Sequence, residues 1–303
     1  MNKIEKCKGI IVPMVTPFTG DGEIDQPAAE RIVDFVLDAG AAPFVLGTTG
    51  EDASIPAPMR PGLVRTVVER VGRRAPVYAG VSSNCVQESV EAAELYSDLG
   101  ADAVVAHLPC YYPLNPDQML RYYETLADRL PVPLVAYNIT MTTHMFIPLE
   151  VMERLSYHPN IIGFKDSENN KARVEQATAM WRERTDFSYL CGCGNLYAEA
   201  LLRGAHGLVV ASGNVIPRMY RELYETALRG DSPAAYRIWE RTMEISAVYQ
   251  EGRILSQTLA ALKVMMNVMG LCGETVLPPL GPISAEEKAE IRRRTGELRL
   301  VRG

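Results

Sequence analysis

Short runs of apolar, β-branched residues alternate along the chain with longer stretches in which apolar residues recur at helical spacing. Eight such runs are present: Gly9–Thr16, Pro43–Gly47, Pro76–Val81, Ala103–Leu108, Pro133–Asn138, Ile161–Lys165, Phe187–Cys191 and Gly207–Ala211. Their starts lie about 28 residues apart, close to the ~30 residues of one strand-plus-helix unit. Nearly continuous apolar strands are typical of a parallel sheet that is covered on both faces. The pattern therefore predicts an α/β fold, a (β/α)8 TIM barrel.

The helices predicted between these strands carry recognisable start and stop signals. Ala28–Ala39 follows Asp25 and ends at Gly40, and Gln87–Leu99 ends at Gly100. The remaining predicted helices of this part are Pro116–Arg129, Leu149–Tyr157 and Asn195–Arg203. An open doubly wound sheet is the alternative fold. The count of eight units and the lack of a G-x-G-x-x-G turn after the first strand argue against it.

The strand pattern stops near residue 216, and only helical periodicity follows. The helices predicted there are Met219–Leu228, Ser232–Tyr249, Leu255–Met269 and Ala285–Arg294. The first is expected to be the eighth barrel helix. We therefore predict a barrel with the catalytic site over residues 1–230 and a C-terminal helical extension over residues 231–303. The extension is expected either to cover the barrel or to form an oligomer interface.

Composition narrows the class of protein. Lys plus Arg total 31 and Asp plus Glu total 37, a formal charge of −6, whereas a nucleic-acid binder usually carries a basic patch. No apolar run approaches the ~18 residues of a membrane span. Residues 1–9 lack the apolar stretch of a signal peptide. The six cysteines are sparse and are expected to be reduced thiols. The histidines are scattered along the sequence and complete no metal-site motif. We expect a cytoplasmic enzyme of small molecules, without metal, membrane or nucleic-acid partner.

The candidate chemistry lies where barrel enzymes place it, at the carboxyl ends of the strands. Lys165 falls within an apolar run, and a lysine is rarely buried unless it is paired. Burial disfavours the ammonium form, and a neutral amine can attack a ketone to form a Schiff base. The alternative is an ion pair of Lys165 with a barrel carboxylate, such as Asp166 or Glu51.

Two further groups at this face would support Schiff-base chemistry. Tyr137 ends the neighbouring strand, and its phenol can shuttle a proton; a core or rim tyrosine with a satisfied hydroxyl is the alternative. Thr48 and Thr49 lie in a glycine-bounded turn whose hydroxyls and backbone N–H groups suit a carboxylate or phosphate. A plain strand-to-helix turn is the alternative there.

Together, these residues make the chain resemble the pyruvate-dependent class I aldolases, which include dihydrodipicolinate synthase and N-acetylneuraminate lyase. The resemblance is carried by Gly47-Thr48-Thr49-Gly50-Glu51, Tyr111, Tyr137-Asn138, Gly163-Phe164-Lys165-Asp166-Ser167, Val12–Phe18 and Leu277–Pro282. The match runs from about Gly9 to Pro282 with the same order and spacing.

The resemblance implies a role for each matching residue. Lys165 would form the Schiff base, and Tyr137 would be the proton shuttle and would also bond the keto acid. Thr48 and Thr49 would hold the carboxylate of the keto acid. Thr48 would link Tyr137 to Tyr111, which reaches into the neighbour's site across a dimer interface in family members. Gly192 and Val209 would line the pocket. The family implies a homotetramer, a dimer of dimers, and no cofactor beyond the covalent Schiff base on Lys165.

Two departures bear on the substrate. Thr142 stands where dihydrodipicolinate synthases carry an arginine for the carboxylate of aspartate semialdehyde, and threonine cannot replace a bidentate guanidinium. Gly194 and Asn195 stand where sialic acid lyases carry an acidic pair. The polar rim, with Thr142, Asn195 and Ser212 among its candidate substrate-binding residues, suits the hydroxyl groups of a sugar acid.

Three classes of function remain open at this point. We expect a lyase or aldolase of pyruvate or a 2-keto acid, with a 2-keto-3-deoxy sugar acid as the preferred substrate. A Schiff-base dehydratase of such an acid and a non-catalytic binder of keto acids are the alternatives. Dihydrodipicolinate synthesis would require a substitute arginine, for example Arg253. Cys110 and Cys193 are expected to be neutral thiols at the barrel mouth, and His144 is expected to lie in a surface loop.

Overall fold

The computed structural model describes residues 7–298 and Leu300. Within these residues, eight parallel strands close into a barrel in sequence order, with β1 pairing both β2 and β8. The predicted (β/α)8 barrel with its C-terminal helical extension is confirmed. Residues 1–6, part of the segment predicted to lack a signal peptide, and Arg299 and residues 301–303, at the end of the predicted extension, lie outside the described residues.

The elements alternate as the hydrophobic pattern predicts. The strands are β1 (Gly9–Pro13), β2 (Ala42–Val45), β3 (Tyr78–Gly80), β4 (Ala103–His107), β5 (Leu134–Asn138), β6 (Ile161–Asp166), β7 (Ser188–Cys191) and β8 (Gly207–Val209). The helices are α1 (Gln26–Leu37), α2 (Arg60–Val71), α3 (Val86–Asp98), α4 (Pro116–Arg129), α5 (Thr140–Thr143), α6 (Leu149–Leu155), α7 (Lys171–Trp181), α8 (Tyr197–Leu202), α9 (Pro217–Leu228), α10 (Ser232–Gln250), α11 (Leu255–Val268) and α12 (Ala285–Glu297).

Local sequence explains where several helices begin. The Asp25 carboxylate accepts a hydrogen bond from the backbone of Ala28 at 3.0 Å and caps α1, and the chain leaves that helix at Gly40 with φ of 67°. Asn115 and Gln118 form a capping box at the start of α4. These caps satisfy backbone groups that the helix itself leaves without partners.

The differences from the predicted elements are shifted boundaries and helices that had no prediction of their own. Several strands are shorter than their apolar runs; β3, for example, spans Tyr78–Gly80 within Pro76–Val81, because apolar residues continue into the buried turns. The helices α2 and α7 had no individual prediction. The short helix α5 was also missed, since four residues are too few to show a period.

Strand side chains alternate between two cores, and this alternation decides which of them point into the barrel. Val135 and Tyr137 of β5 belong to the core inside the barrel, whereas Leu134 and Ala136 belong to the core between strands and helices. On β6, Lys165 pairs in register with Tyr137. Both side chains therefore enter the barrel from neighbouring strands.

The C-terminal helices α10, α11 and α12 follow the eighth barrel helix, α9, in the chain. Helix α10 packs against α9, and α11 packs against both α10 and α12. The central residues of α11, 259–266, are all buried, as expected for an apolar helix under other elements. Within the described part of the chain, no helix is long and apolar enough to cross a membrane.

Candidate active site

Lys165 is enclosed at the end of β6 by aromatic rings. Its side-chain nitrogen lies 3.6 Å from the centroid of the Tyr137 ring and 5.1 Å from that of Phe44. Only 5% of the residue is exposed. Burial lowers the pKa of Lys165 below that of an ordinary lysine, and the Tyr137 phenol opposes this shift. The site therefore favours a neutral amine more than water does.

Asp166 and Glu51 were the carboxylates that could have formed an ion pair with Lys165. In the structure, each of them binds a different cation. Asp166 binds Arg173 at 2.6 Å, and Glu51 binds Lys263 at 2.5 Å. Both pairs are buried. The ion-pair alternative for Lys165 is therefore wrong for Asp166 and Glu51, because each carboxylate already has a cation of its own.

Arg173 and Asn138 hold the backbone behind Lys165. Arg173 donates to Asp166 and, at 2.8 Å, to the backbone carbonyl of Ile147. Asn138 donates to the other oxygen of Asp166 at 2.8 Å. This buried network ties the ends of β5 and β6 together, and so it fixes the relative positions of Tyr137 and Lys165.

The turn after β2 carries the two threonines. Thr48–Gly50 forms one turn of 3-10 helix, with Thr49 buried and Thr48 half-buried. Leu46 before it and Glu51 after it have φ of 56° and 59°, in the left-handed region that side chains seldom adopt. Non-glycine residues in this conformation cost free energy and cluster at functional sites.

Gly192 and Val209 lie beside Lys165. A Cβ at Gly192 would come within 3.4 Å of Lys165 Cε and within 2.5 Å of Ser167 Oγ. Val209 lines a small apolar cavity together with Lys165 and Phe44. Their contribution to binding stays a prediction.

Tyr111 lies away from this enclosure in the single chain. Its side chain is 76% exposed and meets the ring of Tyr112 edge-on, with centroids 4.9 Å apart. The predicted link from Tyr137 through Thr48 to Tyr111 is therefore not formed within one subunit. Its completion by a neighbouring subunit stays a prediction.

The three rim residues differ in how accessible their polar groups are. Thr142 is half-buried in α5, and Asn195 is exposed in the 3-10 turn after β7. Ser212 is buried, and its hydroxyl lies 2.6 Å from Ser246 Oγ and 2.9 Å from the Tyr249 hydroxyl, both on α10. Of the three, Ser212 has the least freedom to contact a substrate.

The thiols and the candidate substitute arginine have ordinary surroundings. None of the six cysteines forms a disulfide, and burial raises the pKa of Cys193, which keeps that thiol neutral. Arg253 binds Glu287 at 3.2 Å within the extension. His144 is exposed at the end of α5. No group of His, Cys, Asp or Glu side chains within the described residues could hold a metal ion.

Sequence reasoning missed three side chains around the lysine. Phe44 was read only as part of an apolar run, although it faces Lys165. Ser167 was quoted within the motif without a role. Arg173 lies on the following helix, and no spacing rule marks a helical arginine as the partner of a strand aspartate. For Phe44, its inward position on β2 was the available signal.

A family model described as the dihydrodipicolinate synthetase family matches residues 6–297. The chain belongs to this family. The prediction that it is an enzyme, a lyase of the dihydrodipicolinate synthase family, is thereby confirmed. Membership of the dihydrodipicolinate synthetase family also supports a pyruvate-dependent lyase.

Individual relatives span almost the whole chain. A 4-hydroxy-tetrahydrodipicolinate synthase of Pseudomonas aeruginosa is 31% identical and covers 96% of this chain and 99% of its own. The dihydrodipicolinate synthase structure of Bacteroides thetaiotaomicron is 33% identical with a TM-score of 0.91, covering 98% and 100%. The structure of YagE from Escherichia coli K12, in complex with pyruvate, is 28% identical with a TM-score of 0.90, covering 97% and 99%.

Proposed function

We propose that the chain is a class I lyase that forms a Schiff base between Lys165 and pyruvate or another 2-keto acid. One observation carries this proposal. The amine of Lys165 is buried against aromatic rings, while the carboxylates of Asp166 and Glu51 are bound to other cations. An amine in such surroundings is available as a nucleophile.

The proposed reaction uses the neighbours of Lys165 in distinct roles. The amine attacks the ketone carbon of the substrate, and loss of water gives a protonated imine. Tyr137 then takes the proton of the hydroxyl group on C4 of the substrate. The C3–C4 bond breaks, its electron pair moves towards the protonated imine at C2, an aldehyde leaves and an enamine remains. Protonation and hydrolysis of the enamine then return free lysine and pyruvate.

The carboxylate of the keto acid would be held by Thr48 and Thr49, because their turn presents hydroxyls and backbone N–H groups. No metal or organic cofactor takes part in this scheme, and the covalent carrier is Lys165 itself. Tyr111 of a neighbouring subunit would complete the site within a homotetramer, a dimer of dimers. We place the enzyme in the cytoplasm.

For the second substrate we propose a 2-keto-3-deoxy sugar acid or a related compound. The rim offers the hydroxyl of Thr142 and the amide of Asn195 for substrate hydroxyls. YagE, whose name assigns it provisionally as a 2-dehydro-3-deoxy-D-gluconate aldolase, is a relative of 29% identity and supports this substrate class. Synthesis of dihydrodipicolinate is less favoured, because Arg253, its candidate carboxylate ligand, is engaged by Glu287.

Borohydride trapping in the presence of pyruvate tests the proposal. We expect one reduced adduct, mapped by peptide mass to Lys165 and lost in Lys165→Ala. Lys171→Ala is the matched control, because Lys171 is an exposed lysine that pairs with Glu199 and should leave the adduct intact. A folded protein that gives no adduct would overturn the Schiff-base mechanism.

Product analysis then separates the two lyase chemistries. Incubation with a 2-keto-3-deoxy sugar acid should release pyruvate if the C–C bond breaks. Loss of water without pyruvate would identify the dehydratase instead.

A further inference from the structure

Glu51 ends the threonine turn in a conformation that needs outside support. Its φ of 59° places a non-glycine residue in the left-handed region, and its side chain is 0% exposed. A buried carboxylate is costly unless it is paired. The cost of burying Glu51 therefore depends on what contacts the carboxylate.

That contact comes from the C-terminal extension. Lys263 of α11 is also 0% exposed and places its nitrogen 2.5 Å from the Glu51 carboxylate. The same ammonium donates to the backbone carbonyl of Thr275 at 2.7 Å and lies 4.3 Å from the centroid of the Phe18 ring. Lys263 is thus held by three groups and is itself a fixed anchor.

The rest of the turn is fixed from the barrel side. The Thr16 hydroxyl donates to the carbonyl of Gly50 at 2.6 Å. A Cβ at Gly50 would come within 3.0 Å of the Met14 carbonyl oxygen, so the backbone approaches closely there. The end of the turn at Glu51 is the part that α11 holds.

We propose that Lys263 is a positioning residue for keto-acid binding. By holding Glu51, it keeps the turn in the conformation in which Thr48 and Thr49 bind the carboxylate of the substrate. This inference rests on the proposed function, because it assigns the residue that orients the carboxylate site. Lys263 does not touch the substrate and acts only through Glu51.

The experiment measures the pyruvate concentration that half-saturates borohydride trapping, together with the rate at saturation. In Lys263→Met we expect the half-saturating concentration to rise about tenfold or more, the equivalent of ~1.4 kcal/mol. The saturated rate should change by less than about threefold, because Lys165 and Tyr137 keep their places. A merely structural role would lower thermal stability without this selective change.

Two further variants keep the test decisive. If Lys263→Met does not fold, the double variant Glu51→Gln/Lys263→Met replaces the buried pair with neutral groups of similar size, which proteins often tolerate. It should show the same rise. Glu51→Gln alone keeps a polar side chain of the same shape beside the Lys263 ammonium, and it should stay within about threefold of the wild-type half-saturation.

Arg293→Met is the matched control, because it removes the exposed Arg293–Glu290 ion pair of α12 in the same extension without touching the turn. It should leave half-saturation unchanged. An equal rise there, or wild-type half-saturation in folded Lys263→Met or the double variant, would overturn this inference alone. A wild-type protein without any adduct would overturn the proposed function and this inference together.

Discussion

Replacing Gly192 with alanine adds one methyl group at the most crowded point of the proposed site. The new Cβ would lie 2.5 Å from Ser167 Oγ, 3.3 Å from the carbonyl oxygen of Asp166 and 3.4 Å from Lys165 Cε. The first distance is shorter than van der Waals contact allows, so Ser167 must move. The second is tight, and it involves a backbone atom that accepts a hydrogen bond from Gly192 itself.

The size of the effect follows from which atoms can move. Overpacking costs about 1–3 kcal/mol when the surroundings cannot adjust. Rotation of the short Ser167 side chain relieves the worst contact, so we expect a stability loss near the lower end, about 1 kcal/mol. The loss of activity should be larger, because a displacement of ~1 Å at a reacting group can cost about 10²-fold in rate.

The assay compares thermal unfolding with the rate of pyruvate trapping by borohydride. Gly194→Ala is a close control, since its new Cβ would meet nothing nearer than Met243 Sδ at 3.7 Å. It should trap pyruvate at the wild-type rate. If Gly192→Ala trapped pyruvate as fast as Gly194→Ala, the glycine would not be needed to make room beside Lys165, and the reasoning would fail.

Three other substitutions or conditions test the same site. Tyr137→Phe should slow turnover by about 10²–10⁴-fold if the phenol moves a proton; a loss below tenfold in a steady-state assay would argue against that role. Because burial lowers the pKa of Lys165, the rate of adduct formation should rise with pH through a midpoint below 10.5, and a midpoint at or above this value would contradict the desolvation argument. Thr142→Arg should raise condensation of pyruvate with aspartate semialdehyde by one to two decades, the worth of a charge-assisted bond of about 1.5–3 kcal/mol; an equal gain in Met141→Arg, on the exposed side of the same helix, would show a non-specific charge effect.

The fold was predictable because its signal repeats. Each strand of a buried parallel sheet must be apolar, and each crossover needs a helix. The same pattern of an apolar strand and an amphipathic helix therefore recurs in all eight units of the sequence. The element boundaries were less predictable. At β3, the apolar residues of Pro76–Val81 extend beyond the paired residues Tyr78–Gly80, because burial continues where pairing stops.

The site was predictable where local sequence encodes it. Lys165 stood out because a charged residue interrupted a buried strand, and its register with Tyr137 followed from neighbouring strands of one sheet. The partners of the two carboxylates were not predictable. The pairs Asp166–Arg173 and Glu51–Lys263 depend on the position and rotation of each helix packed against the barrel. Hydrophobic periodicity does not specify these.

The Glu51–Lys263 pair also constrains how this chain can exchange parts with its relatives. A recombination point near residue 230 would take Glu51 from one parent and Lys263 from the other. A parent that supplied a neutral residue at position 263 would leave a carboxylate buried without a counter-charge, at a cost of about 3–5 kcal/mol. Barrel and extension can therefore be shuffled between such enzymes only when positions 51 and 263 match, either as an ion pair or as two neutral groups.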